Sequence, residues 1–230
     1  MLYFLLLHLK YLELMIEFLD QETEFMVPGG AGLIQCKAMA GRGEKAEANS
    51  PIAIICHPHP LYAGTMDNKV VTTLARTFRD RGWSYLRFNF RGVGKSEGVH
   101  DHMHGESEDL NTLLDLIIAE RPGQKIVLAG FSFGSGVASM VAQQRTDIAH
   151  LVVVGPPISK YQYAYHDSYP CALSVYQGAE DDVVEPQAVR DWSNSLTSPY
   201  SLHWFDGVGH FFHGSLKELS LHLNEELDKG

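Results

Sequence analysis

The chain has 230 residues, 45% of them hydrophobic and 20% charged, with a formal net charge of −10 at pH 7. This is enough material for one substantial core, and the composition excludes a disordered or fibrous protein. No basic tract offsets the acidity, so neither a nucleic-acid partner nor stable membrane insertion is expected.

Residues 1–21 read as an N-terminal extension, either helical and packed on the body or lying upstream of a start at Met15. Met1 to Leu7 is strongly apolar but too short to span a bilayer, and it lacks the basic leader and cleavage site of a signal peptide. Glu13, Glu17, Asp20, Glu22 and Glu24 make an acidic flank that an anionic membrane surface would disfavour. Residues 22–230 are expected to form a single domain. Cys36, Cys56 and Cys171 are odd in number, with no zinc or redox spacing, which fits a reducing, cytoplasmic setting.

From Phe25 the text turns strand-like, and Pro28-Gly29-Gly30 is the expected turn of an antiparallel edge hairpin returning through Leu33 to Met39. Gly41 to Ser50 is a polar loop. Ile52 to Cys56 is a continuous apolar run, typical of a strand covered on both faces. It ends in His57-Pro58-His59-Pro60. A helix is predicted over Asp67 to Arg79, with Val70, Val71, Leu74, Ala75 and Phe78 on one face. Trp83 to Phe90 is a second central strand, and Arg91-Gly92-Val93-Gly94 its tight exit. His100 to His104 reads as a polar loop, followed by a helix over Glu106 to Glu120.

Lys125 to Ala129 then feeds Gly130-Phe131-Ser132-Phe133-Gly134, which opens onto a helix beginning near Ser135. In a strand-turn-helix setting, G-x-S-x-G presents a serine on a sharply bent backbone at the top of a sheet, and the glycines relieve crowding between positions on either side. The bland reading is a serine that merely caps the helix. Further strands are predicted at Leu151 to Val154, Cys171 to Tyr176 and Tyr200 to Phe205, with helices over Gln187 to Leu196 and Ser215 to Leu227. This alternation indicates an α/β fold with a mostly parallel, doubly wound sheet.

A nucleophilic serine needs a base, and the base needs an acid to fix its tautomer. In chain order Ser, acid, His, the candidates are Ser132, then Asp181 with Glu180 and Asp182 as local competitors, then His210 in Gly207-Val208-Gly209-His210. An oxyanion hole would combine the amide of Phe133 with one from the loop after Cys56. Pro58 and Pro60 carry no N–H, which leaves His59 as the favoured donor and Leu61 as the alternative. His57, Arg91 and Asp67 are candidate braces of these loops, with the histidine rings tied to Arg91 or Asp67. Arg91 to Ser96 lacks the full phosphate-loop pattern, so no nucleotide is expected. His100, His102 and His104, with Asp101 and Glu106, form a poor metal signal, and no metal or other cofactor is expected. Tyr161, Tyr163, Tyr165 and Tyr169 are candidate walls of an acyl pocket, with plain surface packing as the competing reading.

Four stretches in order, His57 to Lys69, Arg87 to Ser96, Gly130 to Gly134 and Gly209 to Gly214, resemble the small bacterial alpha/beta-hydrolases related to dienelactone hydrolase and the serine-aminopeptidase-like group. The match is to the compact subgroup with an H-P-H-P loop and runs from about residue 22 to the C-terminus. The resemblance implies an alpha/beta-hydrolase fold with an antiparallel N-terminal edge and no separate lid domain. It also implies Ser132 as nucleophile, Asp181 as acid through the pattern on Gly178, Asp181 and Val184, and His210 as base. Ala63 stands where relatives often carry glycine. The expected activity is hydrolysis of a small carboxylic ester through an acyl-enzyme, by a monomer or homodimer acting on a small-molecule acyl substrate. Thioesterase or aminopeptidase-like activity is the alternative, and a non-catalytic interaction protein a further one.

Overall fold

The computed structural model describes residues 15–229. The readings that concern residues 1–14 lie outside them. Residues 15–21 form no helix; instead Ile16 is buried in the core, and its amide donates to both carboxylate oxygens of Glu120. This short stretch is therefore packed on the domain through a backbone hydrogen bond and an apolar side chain.

Eight strands form one sheet: β1 (Thr23–Gly29), β2 (Gly32–Met39), β3 (Ile52–Cys56), β4 (Ser84–Phe88), β5 (Ile126–Phe131), β6 (Ile148–Val154), β7 (Ala172–Gly178) and β8 (Tyr200–Phe205). Their spatial order is β1-β2-β4-β3-β5-β6-β7-β8. The β1/β2 and β2/β4 pairs are antiparallel and all others parallel. The hairpin turn falls at Gly30-Ala31, two residues later than the Pro-Gly-Gly signal suggests. Pro28 lies inside β1 opposite Leu33, and an edge strand tolerates its missing donor.

Among the described residues five helices cover the sheet: α1 (Lys69–Asp80), α2 (His104–Glu120), α3 (Phe133–Gln143), α4 (Pro186–Ser195) and α5 (Leu216–Leu227). On one face, Val70, Val71, Leu74 and Phe78 of α1 join Leu219 and Leu223 of α5 against Ile55, Val127 and Val152. On the other face, Leu110, Leu113 and Leu114 of α2, Val137 and Val141 of α3 and Val189 of α4 pack on Ile54, Leu128 and Val153. Strands β3 and β5 are buried along their whole length because both faces are covered, which explains their unbroken apolar text. The strand ends β3, β5, β7 and β8 thus deliver their following loops to one edge of the sheet, the place where open α/β sheets carry sites.

Candidate active site

Strand β5 runs through Phe131 and α3 begins at Phe133, so the whole change of direction is made by Ser132, at φ 53°, ψ −123°. A side chain is rarely held at positive φ unless the surroundings over-determine it. Here they do. The Ser132 amide donates to Val154 O at 2.8 Å, and its carbonyl accepts from the amide and hydroxyl of Ser135 at 2.9 and 2.6 Å. A Cβ on Gly130 would collide with the backbone of Gly134, so this bend requires glycine there. The Ser132 side chain makes no helix-capping bond. Its Oγ instead lies 3.0 Å from His210 Nε2.

His210 comes from the loop after β8 and is 3% exposed. Its Nδ1 is 2.7 Å from Asp181 Oδ2, in the loop after β7. The histidine therefore carries its proton on Nδ1, leaving Nε2 to accept from Ser132. Asp181 is buried, whereas Glu180 and Asp182 are exposed. Its Oδ1 accepts from the amides of Val183 and Val184 at 2.9 and 2.7 Å, and Oδ2 accepts from Gln177 Nε2 at 3.1 Å. Burial alone would raise the carboxyl pKa, but the His210 contact and these amides outweigh it and hold it below the ordinary value. Residues 78 and 29 positions apart in sequence are thus joined in one hydrogen-bonded line. A hydroxyl so placed can lose its proton to the imidazole as it attacks an electrophile.

The H-P-H-P loop lies alongside. His57 is fully buried: Nδ1 donates to Pro58 O at 2.6 Å, and Nε2 accepts from the Phe90 amide at 2.9 Å. Burial pushes its pKa down to about 3, so it is a neutral strut. Neither histidine ring is tied to Arg91 or Asp67. Arg91 makes a two-pronged pair with Asp109 on α2, at 2.8 Å for both bonds, so it braces the start of that helix. Asp67 pairs with Lys37 Nζ at 3.0 Å and with Arg87 Nη1 at 2.6 Å, fastening the lead-in of α1 to β2 and β4. The His59 ring accepts from the Leu61 amide at 3.2 Å. Among the described residues no acceptor takes the His59 amide. Ala63, at φ 58°, adopts the left-handed conformation that glycine reaches more cheaply.

Ser132 and His210 open into a cavity of about 520 Å³. Its apolar lining includes Phe133, Pro157, Tyr161, Val183 and Phe211, with His59, Asn68 and Lys160 as polar members. Of the four tyrosines read as walls, Tyr161 alone lines it. Tyr163 is 52% exposed, and Tyr165 and Tyr169 are buried behind, the former with its hydroxyl 2.8 Å from Ser135 Oγ. The 3-10 turn at Gln162–Ala164 separates these positions, so consecutive odd-numbered residues do not share a face. Gln177 went unnoticed in the sequence, although a glutamine ending a buried strand one turn before an acid is a usable signal.

Known proteins share the fold that carries this site. Residues 64–167 match the family model described as serine aminopeptidase, S33. An uncharacterized protein of Rickettsia prowazekii is 36% identical over 197 residues, covering 81% of this chain and 83% of that one. The structure of an alpha-beta serine hydrolase homologue from Coxiella burnetii has a TM-score of 0.85 and 37% identity, covering 92% of this chain and 99% of its own. A Xanthomonas campestris structure described as an a/b serine hydrolase without lid has a TM-score of 0.85 and 32% identity, covering 93% and 97%. With an elbow serine on the central strands and only a short turn-bearing connection between β6 and β7, the chain belongs to the compact alpha/beta serine hydrolases.

Proposed function

We propose that the protein hydrolyses small carboxylic esters through an acyl-enzyme on Ser132. The observation that carries this reading is the line from Asp181 through His210 to Ser132, ending at the mouth of a largely apolar cavity. Ser132 Oγ attacks the carbonyl carbon while its proton passes to His210 Nε2. Asp181 holds the imidazole and stabilises its positive charge. The oxygen that becomes negative is received by the Phe133 amide, at the start of α3, and by the His59 amide. The Leu61 amide is engaged by the His59 ring, which favours His59 as donor. Collapse expels the alcohol, protonated by His210. A water then repeats the sequence against the acyl-serine and releases the acid.

The cavity supports small or slender acyl groups. Among the described residues the β6–β7 connection carries one 3-10 turn and no inserted domain that would grip a peptide. No helix among them is long and apolar enough to cross a membrane. Fluorophosphonate labelling together with turnover of p-nitrophenyl acetate and butyrate tests the proposal. The wild type should be labelled and active. Ser132→Ala should lose the label and fall by orders of magnitude in kcat while staying folded. Undiminished turnover in that variant would overturn the reading.

A further inference from the structure

The segment between the exit of β4 and helix α2 is built at some cost. His102 and Met103 are consecutive non-glycine residues at positive φ, 48° and 76°. Such conformations are unfavourable for residues that carry a side chain and persist only where surrounding groups enforce them. The enforcing group is Glu106, whose side chain is wholly buried. Its Oε1 accepts from the Asp101 amide at 3.0 Å and its Oε2 from the Met103 amide at 2.9 Å. Oε1 also lies 2.8 Å from His100 Nδ1, a close approach without hydrogen-bond alignment. The Arg91–Asp109 pair fastens the next turn of α2 to the same place. None of these groups takes part in the chemistry described above.

The ring of His100 is buried against this apparatus. The His100 and His59 ring centroids are 5.1 Å apart, those of His100 and Phe133 5.4 Å, and those of His59 and Phe133 4.7 Å. The three rings form a closed triangle. Two of its corners are the residues whose backbone amides would receive the oxyanion, and they come from different loops, after β3 and after β5. We propose that His100, packed between the His59 and Phe133 rings and set against Glu106, is a positioning residue that holds these two amides in register for the transition state. The inference rests on the ester-hydrolase reading and deepens it. A donor displaced by about 1 Å can cost on the order of 10²-fold, because it must meet the oxygen at the transition-state distance.

Four proteins test this: wild type, His100→Ala, His100→Asn and His100→Phe. Asn keeps a polar side chain beside Glu106 but no ring, whereas Phe keeps a ring. Each is measured for kcat and KM on p-nitrophenyl butyrate, and for inhibition by an alkyl trifluoromethyl ketone and by the matching methyl ketone. The first ketone forms a tetrahedral oxyanion with Ser132 and the second binds mainly as a ground-state mimic. In His100→Ala and His100→Asn, kcat should fall about 10- to 100-fold with KM within about two-fold. Trifluoromethyl ketone affinity should fall in parallel, and methyl ketone affinity should hold. His100→Phe should recover most of kcat, and it keeps the test decisive if the alanine variant does not fold. The proposal is overturned if His100→Asn is as active as wild type, if His100→Phe is as impaired as His100→Asn, or if both ketones weaken together, the mark of a merely disrupted pocket. A wild type without Ser132-dependent turnover would overturn the ester-hydrolase reading itself, an outcome distinct from active His100 variants.

Discussion

Gln177 donates its side-chain amide to Asp181 Oδ2 at 3.1 Å, the same oxygen that faces His210. The carboxylate is thereby held from three sides, by a side-chain amide, by two backbone amides and by the imidazole, and it can turn toward no other partner. Glu180 and Asp182, one position away on either side, have no such cradle and lie in solvent.

Asp181→Asn should accordingly leave a folded protein slowed by about 10³- to 10⁴-fold in kcat, because the amide would favour the wrong imidazole tautomer. Asp182→Asn should stay within two-fold. The ratio of kcat/KM for the two variants on one activated ester decides the assignment, and the reverse ranking would transfer the role to Asp182.

Tyr161→Ala should shift the acyl-chain preference, since this tyrosine is the one of the four that borders the cavity. Tyr163→Ala should leave the profile as it is, because its ring is half exposed and its hydroxyl reaches only the His102 carbonyl, at 3.3 Å. Tyr165→Ala should act on stability, by about 3–5 kcal/mol, as expected for emptying a buried aromatic site. A p-nitrophenyl ester series from acetate to octanoate, with urea unfolding in parallel, separates the three outcomes.

His57 should make the fold sensitive to acid. Burial depresses its pKa to about 3, so the folded state keeps it neutral while the unfolded chain takes up a proton near pH 6.5. The unfolded state then binds more protons between those values, and stability is lost as pH falls from about 6.5 toward 3. The slope is up to about 1.4 kcal/mol per pH unit from this one group. Urea unfolding at pH 7, 6 and 5 should show His57→Gln losing about one proton's worth of that slope relative to wild type. Parallel pH dependences in the two proteins would refute the account.

Ala63→Gly should stabilise the protein. The left-handed conformation costs a side chain about 1–2 kcal/mol, part of which the greater chain entropy of glycine takes back. A net gain of about 0.5–1 kcal/mol corresponds to a rise of about 1–4 °C in Tm for a domain of this size. Calorimetry that shows a lower Tm would mean the loop tolerates Ala63 without strain.

Much of this site could be read from residue types because its backbone demands are local. The bend at Ser132 leaves a visible trace in Gly130 and Gly134, and the missing donors of Pro58 and Pro60 narrow the amides available beside them. The order of strands and helices was equally legible, since β3 and β5 are apolar throughout and α1 keeps a helical spacing. Side-chain destinations were less so. Asp67 and Arg91 are charged residues near the right loops, yet their partners, Arg87 and Asp109, are set by packing between elements distant in sequence. The tyrosine run misled because a single 3-10 turn breaks the spacing that would have put its rings on one wall. Glu106 stands out in the sequence only as a companion of the weak His100-His102-His104 metal signal: an acid in the first turn of a helix is ordinary, and its complete burial is a property of the loop folded over it.

The position of Ser132 at the end of β5 has a further consequence for how such a protein can change. That strand has four strands on one side and three on the other, with helices on both faces. Ser132 therefore belongs to the part of the molecule that opens last, and hydrogen exchange should be slowest there. The exposed residues that line the cavity, Tyr62, Val183 and Phe211, belong to three separate loops. Substitutions among them should cost little stability, within about 0.5 kcal/mol for surface positions of this kind. Selectivity and chemistry are thus inherited separately: the entrance can drift toward new acyl groups while the serine keeps its geometry.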